Sequence, residues 1–141
     1  MADFNRDRVF ESGADRSSDA GKSHPDRALS PLVLERFAKY MLDHNSTANP
    51  PRREDQWQLG FPQDSFMESG WRHVHAWWSL HRGLPVKNEK GQPVTDIQEV
   101  LCAVFFNVQG YLHNLLVEEF KTENPEAYNR MMGELKKRVA K

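Results

Sequence analysis

The sequence predicts an all-α fold, a helical bundle of about four helices with an irregular N-terminal arm. Three observations predict it. Ser30–Pro31 and Asn124–Pro125 each set a capping residue before a proline, a pattern that opens helices. Apolar residues recur at helical spacing in four separate stretches. Turn-rich connections divide those stretches.

The 141 residues suffice for one domain with a single core. Residues 1–29 are dense in Asp, Arg, Ser and Gly, with Phe4, Val9, Phe10 and Leu29 as their only large apolar side chains. They read as an arm, extended or draped over the site, in which Arg16 and Lys22 are the candidate anion contacts. Residues 30–141 form the single all-α domain. A charged fraction of 28% with a net charge of −1 gives no electrostatic footprint for duplex nucleic acid or a membrane surface. The single cysteine, Cys102, excludes an internal disulfide and a cysteine-rich zinc site, and its setting in VLCAVFF makes it a small core residue. No uninterrupted apolar run approaches the roughly 20 residues that span a bilayer. The expected location is the cytoplasm.

The first helix is capped by Ser30, has Pro31 at its first position, and carries Leu34, Phe37, Ala38 and Met41 on one face to an end near His44. NSTANPPRRED breaks it. After the irregular QWQLGFP, Asp64 or Ser65 caps a second helix that runs to about Arg82. GLPVKNEKGQPV is a loop with a turn at Lys90–Gly91. Thr95 then caps a long third helix, roughly 96–122, and Asn124–Pro125 starts the last.

On the third helix Leu101, Val104, Phe105, Val108, Leu112, Leu115 and Leu116 cover one broad side, which predicts burial within the bundle. Asp96, Glu99, Ala103, Asn107, Gly110, Asn114 and Glu118 form a second stripe that lines a cleft, or faces water or a dimer partner. On the second helix Asp64, Glu68, Arg72, His75 and Ser79 oppose an apolar side that includes Trp77, expected in the core. His73 and His75 point about 160° apart on a regular helix, and no H-E-x-x-H spacing is present, so this histidine-rich helix is not a zinc motif. Facing the two polar stripes brings Glu68 toward Asp96 and Glu99, a carboxylate set suited to Mg²⁺ or Mn²⁺. Asn107 would then orient water or substrate, and Arg72 would meet phosphate or hold a carboxylate. Asp96 also suits a helix N-terminus, and Arg72 also suits an ion pair with Glu68.

These residues resemble a phage-associated family of dATP/dGTP diphosphohydrolase-type proteins, relatives of the MazG-like nucleotide pyrophosphohydrolases. The resemblance covers roughly residues 10–116. It runs from FESGADRSSDAGKSH (Ser12, Gly13, Ala14, Arg16, Gly21, Lys22) through SPLVLERFAKYM and DQWQLGFP (Trp57, Gly60). It continues in FMESGWRHVHAWW (Glu68, Ser69, Arg72, His73) and ends at Glu99 and Asn107 of EVLCAVFFN. The chain departs from the pattern at Asp55–Gln56, where the family has Arg-Asn, and at Val100 and Ala103, where it often has histidines. It also lacks the Glu-Glu-x-x-Glu cluster of the wider fold.

The resemblance implies a MazG-like helical bundle and a homo-oligomer, dimer or tetramer. Its implied activity is metal-dependent cleavage of a deoxynucleoside triphosphate to monophosphate and pyrophosphate, in a host cytoplasm if the chain is phage-encoded. Glu68, Asp96 and Glu99 would hold the ion, with Glu68, Glu99 and Asn107 as the catalytic set. Arg16, Lys22, Arg72 and His73 would contact substrate, and Trp57 or Trp71 would stack on the base. The thinned carboxylate set leaves two alternatives: a protein that binds or sequesters a nucleotide without cleaving it, and a helical interaction module.

Overall fold

A computed structural model describes residues 8–18 and 21–141, so Phe4 of the arm lies outside the described residues. In chain order the elements are β1 (Arg8–Val9), β2 (Asp15–Arg16), α1 (Pro25–Ala28), α2 (Pro31–Ser46), a 3₁₀ turn (Gln56–Leu59), α3 (Gln63–His81), α4 (Ile97–Glu123) and α5 (Pro125–Val139). The four long helices bear out the all-α expectation. The chain divides into a unit running to Leu34 and a larger one from Glu35 to Lys141.

In the first unit, the region read as an irregular arm contains a small hairpin. β1 and β2 pair antiparallel, Arg8 opposite Arg16 and Val9 opposite Asp15. Their turn closes through Phe10 N–H to the Ala14 carbonyl (2.8 Å), with Gly13 at φ +85°. That positive φ is one that side chains with a Cβ rarely adopt. Ser30 caps α2 as expected, its Oγ accepting from Val33 N–H at 3.4 Å.

The larger unit is organised by the antiparallel pair α3–α4. Glycines set how closely they approach. A Cβ on Gly110 would meet the Phe66 ring at 2.2 Å, and one on Gly70 would meet Asn107 Cβ at 3.3 Å. Phe66 is 3% exposed, and Phe61 and Phe106 contact its ring edge-on, so it fills the space that Gly110 leaves open. Burying such a ring contributes about 1.5–3 kcal/mol. Tyr40 and Met41 of α2 and Trp57 of the 3₁₀ turn complete this core with Cys102 and Ala103. Cys102 is buried there, as its sequence setting predicts.

Boundaries differ from expectation where capping differs. α3 starts at Gln63, after Pro62, so neither Asp64 nor Ser65 is its cap. It ends at a Schellman closure in which Gly83 N–H bonds the Leu80 carbonyl (3.0 Å) and Leu84 N–H the Ser79 carbonyl (2.9 Å). α4 is capped by Asp96, not Thr95; its Oδ1 accepts from the backbone N–H of Gln98 (2.9 Å) and Glu99 (3.4 Å).

The larger correction concerns which side of α4 is inside. Its buried residues are Val100, Cys102, Ala103, Asn107 and Gly110, largely the small and polar stripe. Val108, Leu112, Leu115 and Leu116 of the expected core side are exposed. Trp77, read as a core residue, is 42% exposed. The physical reason is close approach: two helices pack through their small residues, and α3 takes that stripe for itself. α4 is also long and apolar enough to cross a membrane by length and composition alone, although no uninterrupted apolar run signalled it.

Candidate functional site

A cleft of about 430 Å³ opens beside the α3–α4 crossing, in the size range of small-ligand sites. Its floor is apolar and small: Ala76 of α3 with Val100 and Ala103 of α4. Tyr40 and His44 reach it from the last turns of α2, and Arg72 and His73 from α3. The segment 86–94 closes one side with Lys87, Asn88, Glu89 and Lys90. That segment is a tight hairpin. Val94 N–H bonds the Val86 carbonyl (2.8 Å), Asn88 Oδ1 accepts from Lys90 and Gln92 N–H (3.0 and 2.9 Å), and Gly91 turns at φ +76°. The side-chain carbonyl of Asn88 therefore fixes how the two lysines are presented.

Three cationic side chains, Arg72, Lys87 and Lys90, share the cleft with two carboxylates, Glu89 and Glu99. The first turn of α4 lies at the same place, with the partial positive charge of a helix start. Burial, then the neighbouring Arg72, holds His73 below the ordinary histidine range, so it is neutral at pH 7. Burial, reinforced by the Glu99 charge, pushes the Tyr40 phenol up to about 12. Tyr40 is thus a permanent O–H donor, its ring 4.1 Å from that of His44.

Glu99 is tied down. Arg36 Nη2 donates to its Oε1 at 2.9 Å, His44 Nε2 lies 3.2 Å from Oε2, and Arg36 Nε donates to Gln98 Oε1 at 3.0 Å. The same Arg36 Nη2 stands 3.6 Å from Asp96 Oδ2. Arg36 therefore straps α2 to the first turn of α4, and its bond to Glu99 raises its own pKa.

The predicted carboxylate set does not assemble within the chain. With Phe66 against Gly110 and Gly70 against Asn107, the antiparallel register puts Glu68 level with Gln109 and Glu99 level with Trp77. Those levels are about nine residues apart, on the order of 13 Å along the axis. Glu68 is exposed, and Asp96 uses Oδ1 as the helix cap. Among the described residues no group of three His, Cys, Asp or Glu side chains converges. Glu99 is the member of the set that lines the cleft.

The other predicted site residues divide. Arg72 and His73 line the cleft with Glu99. Asn107 is buried, and its Nδ2 donates back to the Ala103 carbonyl at 2.8 Å; it lies beneath Gly70 and borders a different, apolar groove. Trp71 lines that groove too. Trp57 is no platform for a base: it is 8% exposed, edge-on to Phe106 (5.6 Å) and His113 (5.0 Å). Arg16 and Lys22 belong to the first unit, where Arg16 sits in β2 and Lys22 Nζ donates to Ser17 Oγ at 3.0 Å. Sequence reasoning missed Tyr40, His44, Lys87 and Lys90. The signal for the lysines was Asn88–Gly91, a turn flanked by Val86 and Val94 that marks a hairpin and not an open loop.

The chain matches no family model, no curated protein and no solved structure.

Proposed function

We propose that the chain is a nucleotide pyrophosphohydrolase-type protein that takes a deoxynucleoside triphosphate in this cleft. The observation that supports the ligand class is the gathering of Arg72, Lys87 and Lys90 in one cleft whose lining also includes Tyr40 and the small apolar Ala76 and Ala103. Cations suit a phosphate chain, a neutral donor suits a sugar or base acceptor, and small apolar residues leave room for a flat ring. The reaction rests on the family resemblance.

A reduced metal set is compatible with the cleft. Mg²⁺ commonly takes one or two protein carboxylates and fills its remaining positions with waters and phosphate oxygens. Glu99 and Glu89 supply that minimum, whereas Glu68 and Asp96 do not. Bound Mg²⁺ or Mn²⁺ would neutralise developing charge and activate water. Arg72, Lys87 and Lys90 hold the phosphates, Tyr40 donates to an acceptor oxygen, and Arg36 with His44 sets the orientation of Glu99.

The second reading is binding without cleavage, favoured by the dispersal of the predicted carboxylates. Calorimetry with a dNTP panel, with Mg²⁺ and with EDTA, separates the readings when paired with pyrophosphate release. Arg72→Ala and Lys87→Ala should each weaken binding roughly 10- to 100-fold, the loss of one charge-assisted hydrogen bond. Glu99→Gln should abolish release while leaving EDTA-insensitive binding in place. Wild-type binding without any product selects the second reading, and absence of nucleotide binding rejects both.

A further inference from the structure

The loop between α2 and the 3₁₀ turn meets the end of α5 around a cavity of about 470 Å³, whose polar lining is Arg52, Arg53, Gln56, Arg138 and Lys141. Both walls are fixed to the core. Arg52 N–H bonds the Asn45 carbonyl (2.9 Å) at the end of α2, and Gln56 N–H bonds the Arg53 carbonyl (3.0 Å) at the start of the 3₁₀ turn. That turn carries the buried Trp57, and α5, anchored by the buried Leu135, packs against it. Positive charge is concentrated here although the chain as a whole carries −1. Among the described residues no acidic side chain lines the cavity. Asp55 Oδ1 holds Arg53 Nε at 2.9 Å, and Glu134 holds Lys137 at 3.1 Å. Arg52 and Arg138 have no acidic partner among the described residues. A main-chain carboxylate at Lys141 would offset one charge, and those two would remain. The negative end of a helix favours cations in its last turn, which accounts for Arg138 together with Lys136 and Lys137. It does not account for Arg52 and Arg53, which come from a different segment and add to the same repulsion.

We propose that this cavity binds a compact anion of linked phosphates, with Arg52 and Arg138 as its principal contacts and Lys141 and Gln56 as further donors. The site shares no lining residue with the nucleotide cleft and does not rest on that reading. Three features select the ligand class. Guanidinium groups present paired N–H donors that match phosphate oxygens two at a time, and three of the four cations here are arginines. Among the described residues no aromatic side chain lines the cavity, so it offers no platform on which a base would stack. The cations line one concavity from two segments, which suits a short phosphate chain better than the extended backbone of a nucleic acid.

Calorimetric titration of the full chain with inorganic tripolyphosphate, at about 0.15 M salt, tests the site. The cations of the cleft can also meet phosphate, so the titration is made on the Arg72→Ala/Lys87→Ala chain as well as on wild type. Its outcome is then independent of whether the cleft takes a nucleotide. The expected result is one site that persists in the cleft variant and weakens roughly 10-fold with Arg52→Ala, and likewise with Arg138→Ala. Arg52→Lys should recover part of the affinity, since it keeps the charge and loses the fork. Both arginines are exposed, so helical circular dichroism should be unchanged. Where the cleft variant fails to fold, the same arginine substitutions in the otherwise native chain decide. Absence of tripolyphosphate binding by wild type overturns the proposal, as does binding that both arginine substitutions leave unchanged or that the cleft substitutions abolish in a folded chain. A single-stranded oligonucleotide of about ten residues that engages these arginines more tightly than tripolyphosphate overturns it in favour of a nucleic acid backbone.

Discussion

Gly110 shows how a single residue decides the packing of a helix pair. Alanine is the better helix former by about 1 kcal/mol, which taken alone would stabilise α4. The added methyl would sit 2.2 Å from the ring of Phe66, which is 3% exposed and has Phe61 and Phe106 packed edge-on against it. Overpacking of that kind costs about 1–3 kcal/mol and outweighs the propensity gain. Gly110→Ala should therefore lower the midpoint of urea unfolding, and Phe66→Leu should partly restore it in the double variant. Two histidines set a second residue-level expectation. His73 and His113 are held below the ordinary value of 6.5, His73 by burial and then Arg72, His113 by burial against its surroundings. The unfolded chain binds protons at a pH where the folded chain does not. Stability is thus complete above about pH 6.5 and declines as the pH falls from there through the lowered values. Thermal midpoints between pH 7.5 and 5 should fall, and His113→Gln should flatten part of that slope.

At the scale of the element, helix positions were legible because their signals are local. Ser30, Asn124 and Pro125 each mark a boundary within one or two residues of where it falls. The cap of α4 was displaced by one, since Thr95 and Asp96 are both competent and only geometry chooses. The Asp96 bonds predict that Asp96→Ala costs about 1 kcal/mol through loss of the cap, while Thr95→Ala costs a few tenths at most. Which side of a helix faces inward was less legible. Periodicity correctly separated the two sides of α4. It could not say that the small-residue side packs against α3, because that depends on Gly70 and Phe66 in another part of the chain.

For the molecule as a whole, the same limit explains the site. Arg72 and His73 are consecutive on α3 and both belong to the segment that carries the resemblance, so they were named together, and both line the cleft. Residues on two helices are related only through register. Facing Glu68 with Glu99 assumed a register that the crossing at Gly70 and Gly110 does not give. Tyr40 and His44 were invisible for a similar reason: they join the cleft through the approach of α2 to the start of α4, strapped by Arg36. Arg36→Ala should free Glu99 from one of its two partners. Pyrophosphate release from a bound dNTP should then fall, since only the His44 contact remains to orient the Glu99 carboxylate.

Cys102, the lone thiol of the chain, gives the fold a kinetic reporter. It lies 8% exposed in the same core cluster as Tyr40, one of the cleft residues. Burial also pushes its pKa up, so little thiolate is present even where a reagent arrives. Modification by a thiol reagent must therefore wait for this part of the core to open, and the rate under native conditions measures how often it does. A ligand seated in the cleft against Tyr40 should slow that labelling in proportion to its occupancy. The chain thus carries its own clock for occupancy, readable at a native residue without any substitution.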